Sequence, residues 1–375
     1  MKQGITLFVF GLLIASPALA QIDISVGGHT RNYVGLLDQD EATGAANEVT
    51  SFDMLRESEI YINAEGKADN GLTYGFHVET EMDAGDDANT VDESYIYFSS
   101  SLGKINIGSE DGAQEMLQVA APSADNNVDG MEMQVHPVNY DVITPAGALR
   151  SYLQVFSTTF DYENNATGKN EKITYITPQW EGLQVAASWT PSMRDANSLS
   201  GLAGFNRENQ SGFQDQAYEV GARYERSFNG IGLTTGAGYT HISGNRSGTF
   251  SSEYHEWNVG LDLDIGAFGV GVAYTEDNNR SVEDSEDQKV VVGVDYTVGD
   301  YKFGASYHNR QDNNRNQFPG TGDVETDRYA VGLTYTMVKG LTFRGTLNHI
   351  EHDVTLAGQS DVSATYALGG IQLNF

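Results

Sequence analysis

The sequence predicts an all-β fold, a 16-stranded antiparallel transmembrane β-barrel, and three observations predict it. Apolar and polar residues alternate with period two along most of the chain, which is the side-chain repeat of a strand. The connections alternate between turns of two to four residues and polar loops of roughly seven to sixty, as in a barrel with short periplasmic turns and long outer loops. The last stretch, residues 361–375, places Phe375, Leu373, Ile371, Gly369 and Ala367 on one face and Asn374, Gln372 and Gly370 on the other. An even strand count returns the C-terminus to the side where the first strand begins.

The N-terminus reads as a secretory leader over residues 1–20: Lys2 is a basic n-region, residues 5–15 an apolar run and Ala18-Leu19-Ala20 a small-residue cleavage pattern before Gln21. The apolar run is shorter than the roughly 20 residues of a spanning helix. Residues 21–375 then form one barrel domain, with no Pro- or Ser-rich linker. Absence of cysteine excludes a disulfide framework and any thiol or Cys-ligated metal site. A net charge of -31 argues against a nucleic-acid binder, whose footprint is basic, and fits either solubility and adaptation to salt or a field that gathers cations, which composition alone does not separate.

In chain order, Ile22, Ile24 and Val26 open a strand that runs to about Leu36, and a polar loop, 38–47, follows. The next strand, 52–66, sets Ser58, Ile60, Ile62 and Ala64 against Glu57, Glu59, Tyr61, Asn63 and Glu65. Ala68-Asp69-Asn70-Gly71 has the residues of a tight reversal. Leu72, Tyr74, Phe76 and Val78 then alternate with His77, Glu79 and Glu81, and strands over 91–100 and 104–108 flank Leu102-Gly103. From Ser109 to about Asn170 the rhythm stops in a long acidic segment with Pro122, Pro137 and Pro145, where 152–162 could add a short strand. A loop this long in a compact domain calls for a function. Hairpins resume at 172–177 with 183–189, and continue through turns at Asn229-Gly230, Gly266-Ala267, Gly299-Asp300 and Lys339-Gly340. Tyr218, Tyr224, Trp257, Tyr274, Tyr296, Tyr301, Tyr329 and Tyr335 lie near strand ends on the apolar face, as membrane-interface girdles require.

The Gly-x-x-x-x-Gly-Ser run from Gly103 to Ser109, the hairpin Tyr175-Ile176-Thr177-Pro178-Gln179-Trp180-Glu181-Gly182-Leu183 and the terminal Leu373-Asn374-Phe375 resemble the Gram-negative general porin family. The resemblance covers the mature chain and implies an integral outer-membrane barrel, usually a homotrimer, whose long third outer loop folds into the lumen. It implies a passive water-filled channel for small hydrophilic solutes and ions, with neither catalysis nor cofactor. Outer-membrane lipid and lipopolysaccharide would surround it, Phe375 would be read by the barrel-assembly machinery, and the second loop, 84–90, would interlock subunits.

In that frame the segment after Gly108 occupies the place of the third loop, which makes Glu110, Asp111 and Glu115 the preferred acidic constriction candidates, with Asp125, Asp129 and Glu132 beyond them. The family commonly opposes such a loop with basic wall residues. Alternation instead puts Glu57, Glu59, Glu79, Glu81 and Glu93 on the lumen face, and leaves Arg31, Lys104, Arg223, Lys289, Lys302, Arg328 and Arg344 as basic wall candidates. The balance tilts negative, so the expectation is a cation-preferring pore. A substrate-specific porin would need a longer aromatic track than Tyr61, Tyr95 and Tyr97. An outer-membrane barrel enzyme leaves the long loop unexplained, and no Gly-x-Ser-x-Gly elbow is present. His349, Glu351, His352 and Asp353 read as scattered residues at a strand end rather than a metal site, and Glu283, Asp284, Glu286 and Asp287 lack EF-hand spacing.

Overall fold

The computed structural model describes residues 22–41, 48–82, 91–140, 161–193, 214–244, 253–278, 286–313, 323–355 and 361–375. The expected leader, the loop 84–90, residues 152–160 of the possible extra strand, and Glu283 and Asp284 lie outside these; Asp161 and Tyr162 are not in a strand.

Alternation extends through sixteen strands. They are β1 (Ile22–Gln39), β2 (Phe52–Lys67), β3 (Thr73–Glu81), β4 (Val91–Ser100), β5 (Gly103–Ser109), β6 (Glu171–Ile176), β7 (Leu183–Thr190) and β8 (Ala217–Phe228). The second half comprises β9 (Ile231–Ile242), β10 (Tyr254–Ile265), β11 (Phe268–Asp277), β12 (Asp287–Val298), β13 (Tyr301–Asp312), β14 (Val324–Val338), β15 (Leu341–Val354) and β16 (Val362–Asn374). Each strand pairs antiparallel with its sequence neighbours, and β1 pairs with β16, Val34 opposite Gly369, so the sheet closes without an edge. Reciprocal bonds of 3.1 Å between the Gly28 and Phe375 backbones finish the seam.

The tight turns have the backbone that hairpins demand. At Asn229 and Gly230 the φ angles are +50° and +83°, the two positive values of a type I′ turn. The outward face is an apolar band: Val220, Val259, Val292, Phe303, Leu347 and Ile371 are all exposed. So broad an apolar exterior has lipid as its natural solvent. Aromatic pairs mark its borders, with Tyr301 and Tyr335 stacked at 4.5 Å and Trp257 against Tyr274 at 5.0 Å.

A pore wall has water inside and lipid outside, so the protein's buried core forms between the wall and the long loop of residues 110–170. The largest cluster joins Val128, Val135, Val138 and Tyr140 of the loop to Tyr33, Ile350, Tyr366 and Leu368 of the wall. Two short helices, α1 (Ala113–Met116) and α2 (Asn126–Asp129), shape the loop's outbound half.

Candidate pore constriction

The outbound half of the loop follows the inner wall from β7 around to β1, and the sequence makes room for it with glycines at lumen-facing positions. A Cβ on Gly221 (β8) would lie 2.2 Å from the Ala113 carbonyl oxygen, on Gly260 (β10) 2.3 Å from that of Val119, and on Gly293 (β12) 1.9 Å from that of Pro122. These are backbone contacts, so no side chain fits at any of the three. The Ala124 backbone sits in the same way against Gly304 of β13, and its Cβ lies 3.4 Å from the place of a Cβ on Gly332 of β14.

Polar side chains pin the far end. Asp125 accepts from the Asn127 N–H at the start of α2, from Arg344 (2.6 Å) and from the Tyr33 hydroxyl (2.9 Å). Asn127 donates to the Tyr33 hydroxyl at 2.9 Å and to Gln372 at 3.0 Å. Asp129 accepts from Ser306 at 2.9 Å; burial pushes its carboxyl up to about 6, against the pull of Arg328. The returning half is tied to the outbound one: Gln118 donates to the Tyr162 carbonyl (2.8 Å), and the Tyr162 hydroxyl accepts from the Ala121 N–H (3.0 Å).

Across the lumen from that side stand β1 to β4. There His29, Tyr61, His77 and Tyr95 form a ladder with successive ring separations of 6.0, 6.2 and 5.1 Å. Glu57, Glu59, Glu79 and Glu93 interleave with it: Glu57 lies 3.0 Å from His29, Glu59 accepts from Tyr61 at 2.6 Å, and Glu79 lies 3.5 Å from His77. Glu81 faces Glu59 across β2 and β3.

The loop meets this wall mainly through Lys169, which reaches Glu93 (2.9 Å), Asp92 (3.5 Å) and Asp111. Beside it stand Glu115, Glu132 and Glu163. Burial, then Asp111 and Glu163, holds the Glu115 carboxyl well above the usual range. Burial, then Glu132 and Asp161, lifts Glu163 to about 9. Burial alone would lower the Lys169 ammonium, yet Asp111, Glu93 and Glu115 outweigh it and raise its pKa. Carboxylates outnumber their counter-charges here, and low-dielectric walls strengthen the resulting field.

The sequence-derived candidates divide by place. Asp111 joins Lys169 between loop and wall; Glu110 is buried, accepts from Asn106 at 2.6 Å, and is lifted by burial to about 7. Among the basic candidates, Arg31 pairs with Glu57 at 3.0 Å and Lys104 lies over the Tyr97 ring at 4.7 Å. Arg223 is near Glu225 (3.7 Å), Lys289 near Asp287 (3.7 Å), and Lys302 pairs with Asp295 (3.0 Å). Arg344 is engaged by Asp125, while Arg328 is fully buried under the loop, 3.4 Å from the Asp129 carbonyl oxygen. His349 and Glu351 are exposed and His352 is buried, so these do not converge.

Sequence reasoning missed Lys169, Asp92 and Glu163. Lys169 and Glu163 lie at the far end of a segment with no period to trace. Asp92 breaks parity with Glu93 because the β3–β4 register shifts between Val78 and Thr80, and a bulge re-aims side chains.

A chain with this architecture has many solved counterparts. A porin of solved structure is 17% identical, matching 94% of this chain and all of its own, with a TM-score of 0.57. The anion-selective porin of Comamonas acidovorans is 14% identical over 95% of this chain and all of its own, with a TM-score of 0.63. A loop-deletion form of OmpT, an outer-membrane protein of Vibrio cholerae, is 15% identical over 94% of this chain and 99% of its own, with a TM-score of 0.56. At such identities the likeness is one of fold. An uncharacterized protein of Rickettsia felis is 28% identical over 122 residues, and the match covers 28% of this chain and 27% of that protein; a Rickettsia typhi protein is 28% identical over 107 residues. The chain thus spans about a quarter of the length of the curated relatives it matches. The Gram-negative porin family matches residues 6–355, far more than half of the sequence. The chain belongs to the Gram-negative porin family and is an integral outer-membrane β-barrel of the channel type.

Proposed function

We propose that this porin is a general diffusion channel that prefers cations. The observation that carries the reading is the cluster of carboxylates between loop and wall: Glu57, Glu59, Glu79, Glu81, Asp92, Glu93 and Asp111, with Lys169 and Arg31 among the close counter-charges. Acidic rings lower the barrier for cations and raise it for anions. The inserted loop sets the size limit, and solutes move down their gradients with no cofactor. Beyond the porin character itself, the proposal includes ion transport, a cleaved leader at 1–20, a homotrimer, contact with lipopolysaccharide, and recognition of Phe375 by the assembly machinery.

A general rather than solute-specific pore is favoured because the aromatic ladder is made of alternating histidines and tyrosines crossed by carboxylates, not a continuous greasy track for one ligand. Purified protein in a planar bilayer gives the test. Stepwise conductance with a potassium-favouring reversal potential in a KCl gradient is expected, and chloride-favouring steps would refute the cation preference.

A further inference from the structure

The wall of β1 to β4 offers more than negative charge. His77 Nδ1 lies 2.7 Å from the Asn63 Oδ1, an atom that can only accept, so Nδ1 carries the proton and the Nε2 lone pair is presented on the other side. That nitrogen faces Glu79 at 3.5 Å and Glu93 at 3.9 Å. These spans are long for direct hydrogen bonds. They are near the roughly 3.3 Å edge of a tetrahedron whose metal–ligand bonds are about 2.0–2.1 Å. Glu93 is steadied through its other oxygen by Lys169 at 2.9 Å, which leaves Oε2 turned toward His77.

A second group, on β1 and β2, does not repeat this geometry. The Tyr61 hydroxyl gives its proton to Glu59 at 2.6 Å, so it accepts from His29 Nδ1 at 2.9 Å. His29 Nε2 lies 3.0 Å from Glu57, a hydrogen-bond distance, while Glu59 stands 3.7 Å from Nδ1 on the other side of the ring. In the first group, one ligand atom each of His77, Glu79 and Glu93 falls within 4.8 Å of the others.

We infer that His77, Glu79 and Glu93 form a binding station for a divalent transition-metal cation in transit. The inference rests on reading β1 to β4 as the lining of a cation-preferring passage. Carboxylates alone draw any cation, whereas imidazole nitrogen adds a preference for zinc-like ions over magnesium and calcium. Asn63 serves as the outer partner that fixes ring tautomer and orientation. Lys169 beside Glu93 weakens the hold, so an ion that binds can still leave, as conduction requires.

The test is current block in a planar bilayer, with potassium chloride on both sides and zinc or magnesium chloride added to one. Zinc reduces single-channel current at concentrations at least tenfold below those of magnesium, and more strongly at potentials that drive it inward. His77→Asn raises the zinc concentration for half block about tenfold or more, and Asn63→Ala, which touches no ion, raises it by about tenfold. Compact migration of each unheated variant in a denaturing gel establishes folding, and the comparison of zinc with magnesium on unaltered protein needs no variant. Equal block by the two ions, or zinc block indifferent to both substitutions, overturns the station. Chloride-favouring reversal in potassium chloride alone, with His77-dependent zinc block retained, overturns the cation preference and leaves the station standing.

Discussion

At Asp125 one carboxylate, fully buried, serves donors from three directions: Arg344 at 2.6 Å, the Tyr33 hydroxyl at 2.9 Å and the Asn127 N–H. Asp125→Ala strands a largely buried guanidinium, and breaking such a pair costs about 3–5 kcal/mol. Since β1 and β15 pair along their lengths without this contact, the cost falls on the loop. The expected phenotype is a barrel that still assembles, with a loop cut faster by added protease and, because the freed loop enters the passage, a lower conductance. A variant with unchanged conductance and protease resistance would show that the apolar cluster holds the loop alone. None of this was legible beforehand: Asp125 read as one acid among several in a polar segment, and which way it points depends on Arg344, over two hundred residues on. Glu57, Glu59, Glu79 and Glu93 were different, because strand parity assigns their face from local sequence.

Among the elements, the sixteen strands were readable because period two, Gly-containing turns and loop asymmetry all agree, closely at the tight turns and short by three or four residues at the long-loop ends of β1, β13, β14 and β15. The inserted loop's path was not, since its partners are lumen-facing glycines scattered over β8 to β14, and a glycine announces no contact. That track gives a prediction. A Cβ at residue 293 would lie 1.9 Å from the Pro122 carbonyl oxygen, so Gly293→Leu must push the loop off the wall, at about 1–3 kcal/mol or more. A displaced loop occupies the passage, so conductance falls; the same substitution at Gly369 on β16, whose Cβ would meet nothing within 4 Å, should leave conductance intact. The loop's carboxyls add a pH dependence. Burial, with neighbouring acids, raises Asp161 and Glu110 to about 7 and Glu163 to about 9, whereas unfolded chains release these protons near pH 4–5. The folded loop therefore binds more protons through that window, and stability falls as pH rises from about 5 to 9. Thermal unfolding in detergent should move to lower temperature across that range, and a rise would contradict the buried acids.

For the whole molecule, the net charge of -31 includes a cluster of carboxylates gathered around Lys169, where loop and wall converge. Composition suggested a cation-gathering field but could not locate it, because location depends on where Lys169, Glu132 and Glu163 return. Glu163 ionises only toward pH 9, so raising the pH adds negative charge to the loop beside Lys169 and the preference for cations should grow. The reversal potential of single channels across a potassium chloride gradient, measured near pH 7 and again above pH 9, tests the account most directly. The account predicts a potassium-favouring potential at the lower pH that shifts further toward potassium at the higher one; a chloride-favouring potential, or one that weakens as the pH rises, would contradict it.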